Sequence, residues 1–226
     1  MDEDFSSWAG RDERVFTYLP VERELLSVLP RNSWILDLGC GDGSHMSILA
    51  SGGTVVGADV SAHGLAEARL FGPVLICAGE QLPFRRGTFD FVYVSHVLHH
   101  AQDHRSVLSE IYRVLKSDGR FLLIETCEDS PLMRLARTIR PRWEEVPVRS
   151  RFRFRVLVED ILGVGFAVDR SEQFNVLYWI WGFARRKFRP LERLLPHVIR
   201  VELSAVQRLR RYSAYGFVVG RRPSSG

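Results

Sequence analysis

An apolar run, Trp34-Ile35-Leu36-Asp37-Leu38, breaks into Gly39-Cys40-Gly41-Asp42-Gly43-Ser44. A second run, Thr54-Val55-Val56-Gly57-Ala58, ends on Asp59, 18 residues after Gly41. A short strand, a Gly-x-Gly turn, a helix and an acidic residue closing the next strand form the layout of a nucleoside-binding βαβ unit. Glycines let the backbone approach a ligand closely and take up turn geometries that other residues resist. A helix opening near Ser44 would point unpaired N–H groups at an anionic ligand group. The Asp59 carboxylate can accept hydrogen bonds from both hydroxyls of one ribose. The bland alternative is a tight turn with no ligand, and the acidic residues at both ends weigh against it.

Two features argue against a dinucleotide. The third glycine of a Gly-x-Gly-x-x-Gly fingerprint would fall at position 44, which is Ser. Asp37, two residues before the first glycine, would repel a diphosphate and attract an α-ammonium. S-adenosylmethionine offers a ribose for Asp59, an α-ammonium for Asp37 and a carboxylate for the helix end.

Downstream come Val74-Leu75-Ile76-Cys77-Ala78-Gly79-Glu80-Gln81-Leu82-Pro83-Phe84 and Phe89-Asp90-Phe91-Val92-Tyr93-Val94-Ser95-His96-Val97-Leu98-His99-His100. Leu108-Ser109-Glu110-Ile111-Tyr112-Arg113-Val114-Leu115-Lys116-Ser117-Asp118-Gly119-Arg120-Phe121-Leu122-Leu123-Ile124-Glu125 follows. In this order and spacing the segments resemble class I S-adenosylmethionine-dependent methyltransferases, above all the subgroup of ubiquinone and menaquinone C-methyltransferases. The resemblance is strong over 15–125 and weak over 155–222. It implies that Asp37, Gly39, Cys40 and Gly41 line the methionine end and that Asp59 holds the ribose. Val60 and Gly79-Glu80-Gln81 would border the adenine, and Ser95 and His96 would lie beside the activated methyl. The family often has Asp where this chain has Ala78, so adenine recognition would rest on backbone groups or Glu80.

The resemblance further implies a Rossmann-like seven-stranded, mostly parallel sheet with helices on both faces, an antiparallel last strand and a helical insertion between strands six and seven. Strands are expected at Trp34–Leu38, Thr54–Asp59, Leu75–Cys77, Phe89–Ser95 and Phe121–Glu125. Helices are expected at Ser44–Ala50, Ala62–Leu70, His99–His104 running on to Val107, and Val107–Leu115, with Gly119 as a helix-to-strand turn. With 226 residues, 46% of them hydrophobic, one domain with insertions can bury a sizeable core. Residues 1–33 read as an N-terminal helical cap broken at Pro20, with Phe5, Trp8 and Tyr18 as lid candidates. The methyltransferase domain would then run over 34–226, with an acceptor-side segment at 128–157 and the insertion at 175–213.

His96, His99, His100 and His104 repeat at helical spacing, which invites a metal reading. No carboxylate completes a ligand pattern beside them, so no metal is assigned. His96, His99 and His100 are the general-base candidates, since a neutral imidazole takes a proton near pH 7. Helix capping is the competing role for at least two of the four.

Residues 1–127 carry 11 Lys+Arg against 17 Asp+Glu, a net −6, whereas 128–226 carry 20 against 10, a net +10. This asymmetry suggests an anionic partner for the C-terminal part, or simply a solvated arginine-rich face. Tyr178, Trp179 and Trp181 beside Arg185–Arg189 suggest contact with an anionic membrane surface or a lipid-like acceptor. Cys40, Cys77 and Cys127 read as small residues in or beside strands, as in a reducing compartment. The acidic amino terminus does not look like a secretory signal. A cytoplasmic enzyme, peripheral to a membrane at most, is therefore expected.

The leading function is methyl transfer to O, N or C of a small-molecule or lipid-like acceptor, releasing S-adenosylhomocysteine. An RNA acceptor is the first alternative, although no RNA-binding motif is present and nucleic acid is disfavoured. A non-catalytic protein retaining the fold is the second, and a homo-oligomer is left open.

Overall fold

The computed structural model describes residues 29–131, 134–135, 138, 149–174, 209 and 212–224. The N-terminal cap with Phe5, Trp8 and Tyr18, and nearly all of the 175–213 insertion, lie outside the described residues. The elements are β1 (Ser33–Leu38), α1 (Met46–Leu49), β2 (Gly53–Asp59), α2 (Ala62–Ala68), β3 (Val74–Ile76) and β4 (Phe89–Ser95). Then follow α3 (His104–Val114), β5 (Leu115–Thr126), α4 (Phe154–Val164), β6 (Ala167–Phe174) and β7 (Tyr215–Arg221).

The seven strands form one sheet in the order β3-β2-β1-β4-β5-β7-β6. Neighbours from β3 to β5 pair in parallel, and β7 runs antiparallel to both β5 and β6. This is the expected architecture, with the last strand reversed. The inner strands are near-continuous apolar runs because helices cover both faces. Period-2 alternation divides each strand between two cores. Leu36, Leu38, Val92, Val94, Phe121 and Leu123 pack under α3 and α4 with Val107, Leu108, Ile111, Leu157 and Ile161. Ile35, Val55, Phe91, Tyr93, Leu122 and Ile124 pack under α1 and α2 with Met46, Leu49, Leu65 and Ala68. Each Val, Leu, Ile, Phe or Met among them, fully buried, contributes about 1.5–3 kcal/mol.

Several boundaries differ from expectation. The helix expected from Ser44 is one turn, Met46–Leu49. A single turn carries little macrodipole, so recognition of an anion falls to individual N–H groups. The histidines do not share a helix: 98–100 form a turn, and α3 starts at His104. Asp103 decides that start, its carboxylate accepting from Arg105 N–H (3.0 Å) and from the Ser106 hydroxyl (2.6 Å). Among the described residues none of the four histidines caps a helix through its side chain; the N-cap side chains that accept from their own helix are Ser61 on α2 and Asp103 on α3. β5 starts at Leu115, and between Leu115 and Arg120 it bulges away from β4. The positive φ there belongs to Asp118 (60°), not Gly119. The excursion is pinned by Asp118 N–H to Arg222 O (2.8 Å) and Arg222 N–H to Gly119 O (2.9 Å).

The three cysteines are free, with Cys40 and Cys127 buried and Cys77 half-buried. Among the described residues no helix is long and apolar enough to cross a membrane.

Candidate active site

Strand order reverses between β1 and β4, and ligands of open α/β sheets bind at such a switch point, beyond the strand carboxyl ends. Asp37 lies one residue before the end of β1 and is 1% exposed, with no hydrogen-bond partner for Oδ2. Burial pushes its carboxyl up to about 7, the nearby Asp59 and Asp42 adding to the rise and His45 opposing it. An acidic group held this way is short of a cation.

The turn that follows has Gly39, Gly41 and Gly43 at φ 76°, 52° and 79°. At Gly39 a side chain would also overlap Val97, which pins this turn against the one after β4. Around Gly41 the space is open: among the described residues nothing lies within 4 Å of where a Cβ would stand. The Cys40 thiol is buried and its pKa is raised by that burial and by Asp37, so it remains protonated and inert.

Asp59 at the end of β2 spans two turns. Its Oδ2 accepts from Gly41 N–H (2.9 Å) and its Oδ1 from Ser61 N–H (2.8 Å). Each carboxylate oxygen has a second lone pair, so the residue can still accept from a diol. Val60 beside it is 56% exposed, an apolar surface at the strand tip. After β3, Gly79 is buried, Glu80 half-buried and Gln81 exposed. Glu80 Oε1 accepts from Gln102 N–H (2.8 Å), tying this loop to the segment leading into α3. Half of that carboxylate is thus committed, which shifts any adenine contact toward the backbone at 78–81.

Beyond β4, Ser95 Oγ is buried without a partner. His96 takes φ 57°, rare for a residue with a side chain, and its N–H donates to Ile124 O (2.9 Å). Burial lowers the His96 pKa to about 3, outweighing the attraction of Glu125. Its imidazole is neutral at pH 7, and a pKa this low does not favour the general-base role for which His96 was a candidate.

His99 is 7% exposed, and its Nδ1 lies 2.7 Å from Glu125 Oε2. Glu125, fully buried at the end of β5, also accepts from Leu98 N–H (2.7 Å) and Thr126 N–H (3.3 Å). Burial acts to raise its pKa, but the His99 and His96 charges and the hydrogen bonds prevail and hold it below the usual value. An ionised carboxylate only accepts, which puts the shared proton on His99 Nδ1. The His100 ring lies against His99, tilted by 47° with centroids 3.9 Å apart. His99 O accepts from Arg149 N–H (2.8 Å) and Ser150 N–H (3.1 Å), so the described end of the 128–157 segment docks on this turn.

Glu125 is the functional residue that linear reading misses. It also removes the ground on which a metal was dismissed, for ligand atoms of His96, His99 and Glu125 lie within 4.8 Å of one another. Both Glu125 oxygens are already engaged, which suits a proton-sharing pair better than a metal centre. Tyr215, at the start of β7, was missed as well; its ring meets His96 edge-on at 5.2 Å. The one available signal for Glu125 was a lone acid closing the apolar run Phe121–Ile124.

Residues 36–123 match the model of a methyltransferase domain. That stretch of the chain is similar to a methyltransferase domain. An uncharacterised methyltransferase of Synechocystis is 39% identical over 122 residues, covering 51% of this chain and 56% of that protein. A demethylmenaquinone methyltransferase of Lactiplantibacillus plantarum is 35% identical over 130 residues, covering 51% and 52%. The chain thus spans about half the length of the curated relatives it matches. Among solved structures, an S-adenosylmethionine-dependent methyltransferase of Thermotoga maritima superposes with a TM-score of 0.68 at 18% identity, over 97% of both chains. At that identity the likeness concerns the fold. The matched segment begins at Leu36, takes in Asp37, the glycine turn, Asp59 and the end of β4, and stops at Leu123, just short of Glu125.

Proposed function

We propose that this chain transfers a methyl group from S-adenosylmethionine to a small-molecule or lipid-like acceptor. The observation that carries the reading is the buried, unpartnered carboxylate of Asp37 beside an open glycine turn whose far side is held by Asp59. These residues fit the cofactor. Asp37 would meet the α-ammonium, backbone N–H groups of Gly39, Cys40 and Gly41 would border the methionine end, and Asp59 would take the ribose diol. Val60 and Gly79-Glu80-Gln81 would flank the adenine. The bound sulfonium supplies an already activated methyl, so positioning accounts for much of the rate. Ser95 and neutral His96 would wall the transfer point, and Glu125 would orient His99 to take a proton from an acceptor that must lose one.

Calorimetry with S-adenosylhomocysteine tests the assignment. Wild type should bind, and Asp59→Ala should bind at least about tenfold more weakly, the scale of one lost hydrogen bond to a charged group. Equal binding, or none by either protein, overturns it.

An RNA acceptor is favoured by one observation: Arg149, Arg151, Arg153 and Arg155 are exposed at alternate positions beside the His99 turn. Two of them are drawn to acids, Arg151 to Glu128 (3.4 Å) and Arg155 to Glu159 (2.8 Å), which supports the solvated-face reading instead. RNA retention that vanishes steeply with salt would reinstate this acceptor. The lipid-like and membrane-contact options rest on Tyr178, Trp179, Trp181 and Arg185–Arg189, outside the described residues. Flotation with anionic liposomes tests them.

A further inference from the structure

We infer that cofactor exchange is coupled to a proton: Asp37 holds one in the free protein and releases it to solvent when an α-ammonium arrives. This rests on the cofactor reading above and goes beyond it, making Asp37 a proton acceptor as well as a contact.

The geometry supports it from several sides. Oδ2 of Asp37 is sealed from water and has no hydrogen-bond donor among the described residues, so the ionised form lacks compensation. Two further acids, Asp42 in the following turn and Asp59 at the end of β2, press on it with like charge. Asp59 is fixed where it stands, its two oxygens accepting from the backbone N–H groups of Gly41 and Ser61. His45 is the nearby group of opposite tendency, and its ring lies against Tyr93 at 5.1 Å. Tyr93 stands opposite Asp37 in the β1–β4 register. Cys40 and His96 are held neutral through the physiological range by burial. The neutral carboxyl is therefore the resting form near pH 7 and below. An ammonium placed against Oδ2 reverses the balance: the O–H bond breaks, the proton leaves to buffer, and a carboxylate–ammonium pair remains. Charge is conserved, and no other reactant is required.

The two fragments of the ligand separate the effects. S-adenosylhomocysteine carries the ammonium, whereas 5′-methylthioadenosine has the same nucleoside without the amino-acid part. Calorimetry of wild type in buffers of different ionisation enthalpy should show about half a proton released per S-adenosylhomocysteine at pH 7. The dissociation constant should be roughly tenfold larger at pH 6 than at pH 8. With 5′-methylthioadenosine, proton release and pH dependence should both be absent. Asp37→Asn should flatten the profile for S-adenosylhomocysteine, and His45→Gln should retain it.

Binding of S-adenosylhomocysteine that releases no proton and is indifferent to pH would overturn the coupling while leaving the cofactor reading intact. The same pH dependence with 5′-methylthioadenosine, or its loss in His45→Gln, would assign the proton elsewhere and overturn it too. No binding of either compound at any pH would remove the cofactor reading itself. If Asp37→Asn fails to fold, the comparison of the two ligands on wild type still decides.

Discussion

Replacing Glu125 with Ala removes the acceptor around which the β4–α3 turn is built. Three donors converge on that fully buried carboxylate: Leu98 N–H and His99 Nδ1 at 2.7 Å and Thr126 N–H at 3.3 Å. Taking the acceptor away from Leu98 N–H and from His99 Nδ1 costs about 1–3 kcal/mol each, so roughly 4 kcal/mol in all. For a chain of this length such a loss lowers Tm by roughly 8–16 °C. Glu125→Gln, which keeps the shape and one acceptor, should lose about half as much. The pH dependence has a definite sign. The folded carboxyl is held below its ordinary value, so its stabilisation is present above the unfolded pKa and is lost as pH falls through the folded one. Wild type should therefore weaken on the acid side more than either variant. Equilibrium urea unfolding at pH 7.5 and pH 4 measures all of this. A Glu125→Ala protein within about 1 kcal/mol of wild type at pH 7.5 would refute the reasoning, since no buried donor could then depend on Glu125.

Asp37→Asn should act in the opposite direction on stability. A carboxyl raised from 3.8 to about 7 makes folding less favourable as pH rises between those values, so at pH 8 the variant should be more stable by up to about 4 kcal/mol, an advantage gone by pH 4. Thermal unfolding of the ligand-free protein at both pH values reads this out. Gly39→Ala combines a left-handed φ with overlap on Val97 and should cost about 2–4 kcal/mol while displacing the cofactor turn; circular dichroism melts and S-adenosylhomocysteine titration check it. Treatment with EDTA should leave both Tm and S-adenosylhomocysteine affinity unchanged, and a drop of several degrees would turn His96, His99 and Glu125 into a metal centre.

The first half of the fold could be read from the chain because its strands are covered on both faces. Burial on two sides forces apolar runs, and each run ends at the chemistry, as Asp37 and Asp59 do. What escaped depends on pairing between distant segments. Glu125 meets His99 only because β4 and β5 lie side by side in parallel register, a juxtaposition that no local pattern encodes. The histidines mimicked a helical face, and one carboxylate, Asp103, outweighed that spacing by capping the helix at His104. Gly119 drew attention as the obvious turn former, yet the left-handed residue is its neighbour Asp118, held by contacts from Arg222 a hundred positions away.

Phe174 and Tyr215 are direct partners in the β6–β7 ladder, so the chain leaves and re-enters the sheet one strand apart. Closing an excursion between such fixed posts costs free energy that grows only with the logarithm of its length. The posts stand at the same edge as Ser95, His96 and Glu125. The length of the chain that joins them therefore weighs little on the stability of the sheet. Chimeras spliced at these two positions should thus keep the parallel half of the sheet, from β3 to β5, folded.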